Sequence, residues 1–199
     1  MLQRRMRGFS LLEMMVVISI GLVIAVMAVM TLQPTLKYTR VTNAYNISLM
    51  AMRQARDTAI AQRQIYYVTF THNALPPDTV TITRGATGQV VNTFSLPNDT
   101  AFQVQAGLPG GGATPDNFGA GGTAIDFDQG VAGGTKNIVY FYPDGTSEDV
   151  NGNVNNGVLY IARTNDLFST HAITLWGATG RLRGWRLYTN NGVKYWRQM

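Results

Sequence analysis

From Met14 to Met30 no side chain is charged. A run of that length and polarity folds as a helix, and about 20 such residues cross a hydrocarbon core of about 30 Å. Before it stand one carboxylate, Glu13, and a short basic leader, Arg4, Arg5 and Arg7, that stops at Gly8. An ordinary secretory signal has its cleavage site after the apolar region, beside small residues. Here the candidate site, Gly8–Phe9, precedes the apolar region, so cutting there removes the charges and keeps the helix. Positive flanks stay cytoplasmic, which places the C-terminal bulk on the other side. An acid in an apolar helix costs roughly 2.5 kcal/mol or more on insertion scales and is functional by default. Glu13 lies one helical turn after Phe9 on the same face.

Gly8-Phe9-Ser10-Leu11-Leu12-Glu13 and the run behind it resemble the type III signal of the type IV pilin and pseudopilin superfamily. The resemblance implies that prepilin peptidase cuts after Gly8 and N-methylates Phe9. It implies that Glu13 pairs with the N-terminal amine of a neighbouring subunit and sets axial register in a filament. It also implies storage in the bacterial inner membrane as a single-pass protein, N terminus cytoplasmic and C-terminal domain periplasmic. The expected partners are prepilin peptidase, other pilins or pseudopilins, and an inner-membrane assembly platform.

The chain has 199 residues and no cysteine. About 160 residues follow the span, enough for one soluble domain with no disulfide to staple it. The formal charge of +5 is unevenly distributed. The stretch from 64 to 162 is acidic, with only Arg84 and Lys136 as cations. The stretch from 163 to 199 is basic, with Arg163, Arg181, Arg183, Arg186, Lys194 and Arg197 against Asp166.

The expected organisation is a cleaved leader (1–8), a membrane and filament-core helix (9–31), an amphipathic continuation (32–64) and a β domain (65–199). Pro34 is expected to interrupt or kink the helix, because proline removes a donor and clashes with the preceding turn. Beyond it, Val41, Tyr45, Ser48/Leu49, Met52, Ala55 and Ala59 recur at steps of three and four, a stripe that reads as core. From Ile65 the period changes. Residues 65–70, 79–83, 90–96, 101–105, 125–127, 137–142, 157–163, 172–176, 181–188 and 193–197 read as strands. The fold class is α+β: a long N-terminal helix packed on an antiparallel β-sheet domain. The Gly-rich stretch 106–122 has no phosphate-loop pattern and reads as a flexible surface loop or a partner-docking loop.

Three inner segments narrow the resemblance. The run from Ala51 to Arg63, Phe141-Tyr142-Pro143-Asp144-Gly145-Thr146, and Thr179-Gly180-Arg181-Leu182-Arg183 are similar to the GspH/FimT family. That resemblance implies a minor pseudopilin of a type II secretion system, working in protein export. The alternative is a FimT-like minor pilin of a type IV pilus that binds DNA for uptake. The chain departs from the family in the sixteen residues that follow Arg183 and in having no C-terminal cysteine pair.

Arg181, Arg183 and Arg186 are the candidate phosphate- or DNA-binding residues. Arg181 and Arg183 share one face of a strand, and guanidinium pairs suit phosphate. Trp176, Trp185, Tyr188, Tyr195 and Trp196 lie among them, and aromatics stack on exposed bases. The competing reading makes the aromatics core, and the arginines a solvated face or a contact with the acidic stretch. Asp149, Asn151 and Asn153 alternate oxygen donors as calcium loops do, but position twelve is Tyr160 rather than an acid, which favours a polar hairpin loop. His72 and His171 are the only histidines, and no nucleophile elbow is present, so neither catalysis nor a cofactor is expected.

Overall fold

The computed structural model describes residues 10–127, 137–149 and 151–199. The cut site Gly8–Phe9 and the leader arginines lie outside the described residues. The chain divides into two compact units, Met1–Tyr38 and Thr39–Met199. One helix, α1 (Leu11–Gln62), runs through the division. Pro34 lies inside it without ending it, so of the expected interruption or kink the interruption does not occur. Proline forfeits a single donor, and apolar helices tolerate that loss. All described side chains from Ser10 to Arg40 are exposed in the isolated chain.

In the second unit the helix presents the stripe expected from its period. Val41, Ala44, Tyr45, Ser48, Leu49, Met52, Ala55 and Ala59 are buried. Four of these are Ala or Ser, which lets the backbone approach the sheets closely. Ser48 returns its hydroxyl to the Ala44 carbonyl (3.0 Å), so its burial leaves no orphan donor. The helix closes with Gln64 N–H donating to Ala59 O (3.2 Å) and Arg63 N–H to Ile60 O (3.4 Å). That is a Schellman cap with Arg63 in the left-handed position, φ 51, where glycine is usual.

Among the described residues eleven strands follow: β1 Tyr66–Thr71, β2 Thr79–Arg84, β3 Val90–Ser95, β4 Thr100–Phe102, β5 Ile125–Phe127, β6 Ile138–Phe141, β7 Ser147–Glu148, β8 Gly157–Arg163, β9 Asp166–Trp176, β10 Arg181–Asn190 and β11 Val193–Gln198. They form two antiparallel sheets, ordered β3-β2-β1-β6-β7 and β11-β10-β9-β8-β4, with β5 also on β8. The strands expected from sequence are present, except that the one expected over 101–105 ends at Phe102. β7 and the first half of β9 (Asp166–Thr170) are additional.

Helix and both sheets close one core. Tyr45, Leu49 and Met52 meet Phe70, Phe102, Phe127 and Phe141, and also Leu159, Ile161, Ile173 and Leu175. Phe70 stacks on Phe127 (5.4 Å) and meets Phe102 edge-on (5.6 Å). Each such aromatic contributes about 1.5–3 kcal/mol by burial.

The second sheet is covered on its other face as well. Val158, Tyr160 and Ala172 pack there with Val104, Leu108, Phe118, Trp185 and Trp196. Val104, Leu108 and Phe118 belong to the Gly-rich segment or its approach. Thr114 and Pro115 within it are buried. Residues 106–122 lie at the surface, as expected of a loop, and run as a strap against this second apolar layer. Its glycines permit the close turns, while Leu108, Pro115 and Phe118 supply the apolar contact.

Candidate functional site

Glu13 stands in the first turn of α1 and is exposed in the isolated chain. Met14 N–H donates to Ser10 O (3.1 Å), so the helical ladder already includes the residue next to it. Negative charge is favoured at a helix N-terminus. Among the described residues α1 is the one helix long and apolar enough to cross a membrane, and Glu13 is the only acid before Asp57.

The basic C-terminal segment does not form a single site. Side chains alternate along β10, so Arg181 and Arg183 face one way and Arg186 the other. Arg183 is spent within the fold. Its Nη1 donates to Asp116 Oδ1 of the strap at 2.6 Å. The Arg183 guanidinium also lies 5.8 Å from the Trp176 ring. Oδ2 of Asp116 accepts from Thr174 Oγ1 (2.5 Å) and Trp176 Nε1 (3.2 Å). Asp116 is thus the pin of the strap, held by three donors from β9 and β10. Trp185 and Trp196 lie beneath the strap as core. Arg181 remains exposed, beside Arg53, Arg56, Asp57 and Thr179 around an open cavity of about 240 Å³.

The charge segregation seen along the chain is neutralised in part by ion pairs. Asp99 pairs with Arg40 (3.4 Å) and with Arg163 (3.6 Å), and Arg163 pairs with Asp166 (3.2 Å). Asp78 is buried. It accepts from the backbone N–H of Asn73 (2.9 Å) and Phe102 (2.7 Å), with His72 Nδ1 at 2.9 Å.

The calcium candidates are arranged as a turn. Asp149 Oδ1 accepts the backbone N–H of Asn151 (2.8 Å) and Asn153 (2.9 Å), and Asn153 Nδ2 approaches Oδ2 (3.2 Å). Burial pushes the Asp149 carboxyl up, but the donors of Asn153 and Asn151 outweigh it and hold the group below the usual carboxylate range. These contacts turn the carboxylate inward on its own loop. Among the described residues no cluster of three His, Cys, Asp or Glu side chains could hold a metal.

His171 is buried on the helix side of β9, its ring 5.4 Å from Tyr45. Nδ1–H donates to Ser169 O (2.8 Å), and Nε2 has no partner. Burial, and secondarily the charge of Arg186, lowers its pKa. The hydroxyl of Tyr45 occupies the space where residue 184 would carry a Cβ, so only glycine fits there.

One constellation went unrecognised as a unit. Arg56 Nε donates to Gly145 O (3.1 Å) and Nη2 to Thr179 O (3.2 Å). The three inner segments singled out in the sequence therefore meet in one place: helix end, β6–β7 turn and β9–β10 turn. Gly145 and Gly180 have φ 86 and 58, the left-handed region that favours glycine. A Cβ on Gly180 would overlap the Gly145 carbonyl oxygen. The sequence signal was present in the repeated Asp-Gly and Thr-Gly turns, but nothing in it named Arg56 as their common partner.

Residues 3–29 match the family described as the prokaryotic N-terminal methylation motif. No curated protein and no solved structure matches the chain. With the apolar helix behind it, the motif supports a type IV pilin-like, membrane-anchored protein that prepilin peptidase processes and that assembles with other pilins.

Proposed function

We propose that this chain is a minor pseudopilin of a type II secretion system, with a mechanical rather than an enzymatic role. Prepilin peptidase cuts between Gly8 and Phe9 and methylates Phe9, which removes the leader 1–8. Residues 9–31 hold the protein in the inner membrane and later pack in the filament core. Residues 32–64 continue the helix into the β domain, 65–199, which faces the periplasm and presents the subunit's surface. The observation that carries this reading is the methylation motif running directly into an unbroken apolar helix.

Glu13 is the assembly residue in this reading. A carboxylate in hydrocarbon needs a partner, and the methylated amine of Phe9 on a neighbouring subunit supplies one. Mass spectrometry of the mature protein tests the cut, with N-methylphenylalanine as the expected first residue. Glu13→Gln is expected to leave membrane insertion intact and abolish incorporation into filaments. Normal incorporation of that variant sinks the role.

The secretion reading is favoured over DNA capture by the state of Arg183. A guanidinium at 2.6 Å from a nearly buried carboxylate is already neutralised, so the pair Arg181/Arg183 does not offer phosphate two free cations. Deleting the gene is expected to strand exported proteins in the periplasm and leave natural transformation unchanged. Loss of transformation with normal export assigns the chain to DNA uptake instead.

A further inference from the structure

No acidic residue follows Asp166 in the sequence. The last hairpin, β10–β11, concentrates that bias on one face. Three cross-strand rungs lie there: Arg186 opposite Arg197, Tyr188 opposite Tyr195, and Asn190 opposite Val193. The tyrosine rings stack at 6.1 Å. The guanidinium carbons of Arg186 and Arg197 lie 5.1 and 5.9 Å from the Tyr188 ring centre. Like charges directly opposite one another on a sheet cost stability. A face built this way gains from an anionic surface set against it. Tyrosine and arginine beside an apolar tip are also the composition of side chains that sit at a lipid–water boundary.

The hairpin tip has company. The antiparallel register places the β8–β9 turn at the same end of the sheet as the β10–β11 turn. Arg40, at the start of the domain's helical segment, reaches that end through Asp99, which also meets Arg163. The β1–β2 loop joins it through Asp78, which accepts from Phe102 of β4, a strand paired to the end of β8. Three apolar side chains stand exposed on this rim: Leu75 (83%), Val193 (68%) and Phe168 (46%). Covalent connection says what lies near it. Only residues 31–38 separate Thr39 from the apolar run, and whatever conformation they take, eight residues span at most about 29 Å.

We propose that this rim, with the Arg186–Arg197 hairpin as its cationic part, docks on the anionic phospholipid surface of the membrane that holds the chain's own span. Tyr188, Tyr195 and Val193 enter the boundary, and Arg186 and Arg197 meet lipid phosphates. Docking keeps the domain on the membrane until assembly lifts it off. The inference rests on the membrane anchor and not on which filament machine uses the subunit.

The chain has no cysteine, so a single engineered one reports its own site. Full-length protein with Val193→Cys, labelled with an environment-sensitive fluorophore, is reconstituted in two kinds of vesicle. One is phosphatidylcholine alone, the other phosphatidylcholine mixed with phosphatidylglycerol. A blue shift and brightening in the mixed vesicles, reversed by high salt, is the expected result. Thr87→Cys, in the turn between β2 and β3 at the other end of the first sheet, is expected to show neither. Arg197→Glu changes the face by two charges and is expected to lower the docked-to-free ratio about thirty-fold. No shift at Val193→Cys in mixed vesicles, or an equal shift at Thr87→Cys, overturns the proposal. So does a shift that appears in phosphatidylcholine only on adding duplex DNA, which makes nucleic acid the occupant. A shift there that grows with the protein-to-lipid ratio makes it a second copy of the chain, with the same consequence. Failure of the unlabelled protein to float with either vesicle removes the anchor itself, and the docking with it.

Discussion

Asp116→Asn is the most informative single change in the β domain. The substitution keeps the shape of the side chain and its tolerance of left-handed backbone, which residue 116 adopts at φ 53. It removes the charge that compensates Arg183. The Asp116 side chain is 6% exposed and that of Arg183 25% exposed. Breaking a buried pair by neutralising one partner costs about 3–5 kcal/mol, because the other charge is left without compensation. The partial exposure of Arg183 places this case at the lower end, about 3 kcal/mol. For a domain the size of Thr39–Met199 each kcal/mol moves Tm by about 2–4 °C, so the expected loss is about 6–12 °C.

The assay is thermal and denaturant unfolding of residues 39–199, with Asp116→Asn, Arg183→Met and the double variant measured together. The double variant removes both charges and is expected to regain much of the loss, since apolar replacement of a buried pair is often neutral. A strap released from its pin also uncovers Trp185 and Trp196. Asp116→Asn is therefore expected to shift tryptophan emission to the red and to open residues 106–122 to proteases under conditions where the domain is still folded. A variant within 1 kcal/mol of the parent, or single losses that simply add in the double, would refute the pin.

Gly184→Ala places a Cβ onto the Tyr45 hydroxyl and is expected to destabilise the domain by about 1–3 kcal/mol, with Tyr45→Phe rescuing part of it in a melting experiment. Arg56→Lys keeps the charge but loses the planar fork that spans Gly145 O and Thr179 O. It is expected to cost about 1–2 kcal/mol by chemical denaturation, close to the cost of Arg56→Met. His171 has a folded-state pKa below its unfolded value, so its contribution is complete above the unfolded pKa of about 6.5 and is lost as pH falls from there toward the folded pKa. His171→Gln is expected to flatten the stability profile across that window, and an unchanged acid slope would show that other groups set it.

The helix stripe was legible because packing against two sheets imposes a 3.6-residue period that nothing else in 41–59 obscures. The strands were legible for a similar reason, since β-branched and aromatic residues mark them in short runs between turns. The strap was not. Its anchor is Asp116, sixty-seven residues from Arg183, and a Gly/Ala/Pro-rich composition looks the same whether the segment is free or pinned. The pairing of Arg183 was hidden on the same ground. Strand alternation predicted the face it shares with Arg181, but only the fold reveals that a carboxylate from elsewhere has reached one of them. The first half of β9 was hidden because Asp166-Leu167-Phe168-Ser169-Thr170 lacks a two-residue period and follows turn residues.

Arg56 carries a consequence for function. Its guanidinium faces two backbone carbonyls, so the three segments it joins are held in order and spacing by the needs of a fold. Gly145 and Gly180 are glycines because the turns are left-handed and crowded against that side chain. A likeness resting on these segments therefore reports an architecture, one that different filament machines can share. What distinguishes one machine from another must lie where the chain meets something other than itself. Two such places stand out physically: Glu13, an acid in an apolar helix, and the β10–β11 hairpin, a cationic face with no acid after Asp166. In the function proposed above the first sets how subunits register, and in the docking proposed above the second sets what the subunit touches before assembly.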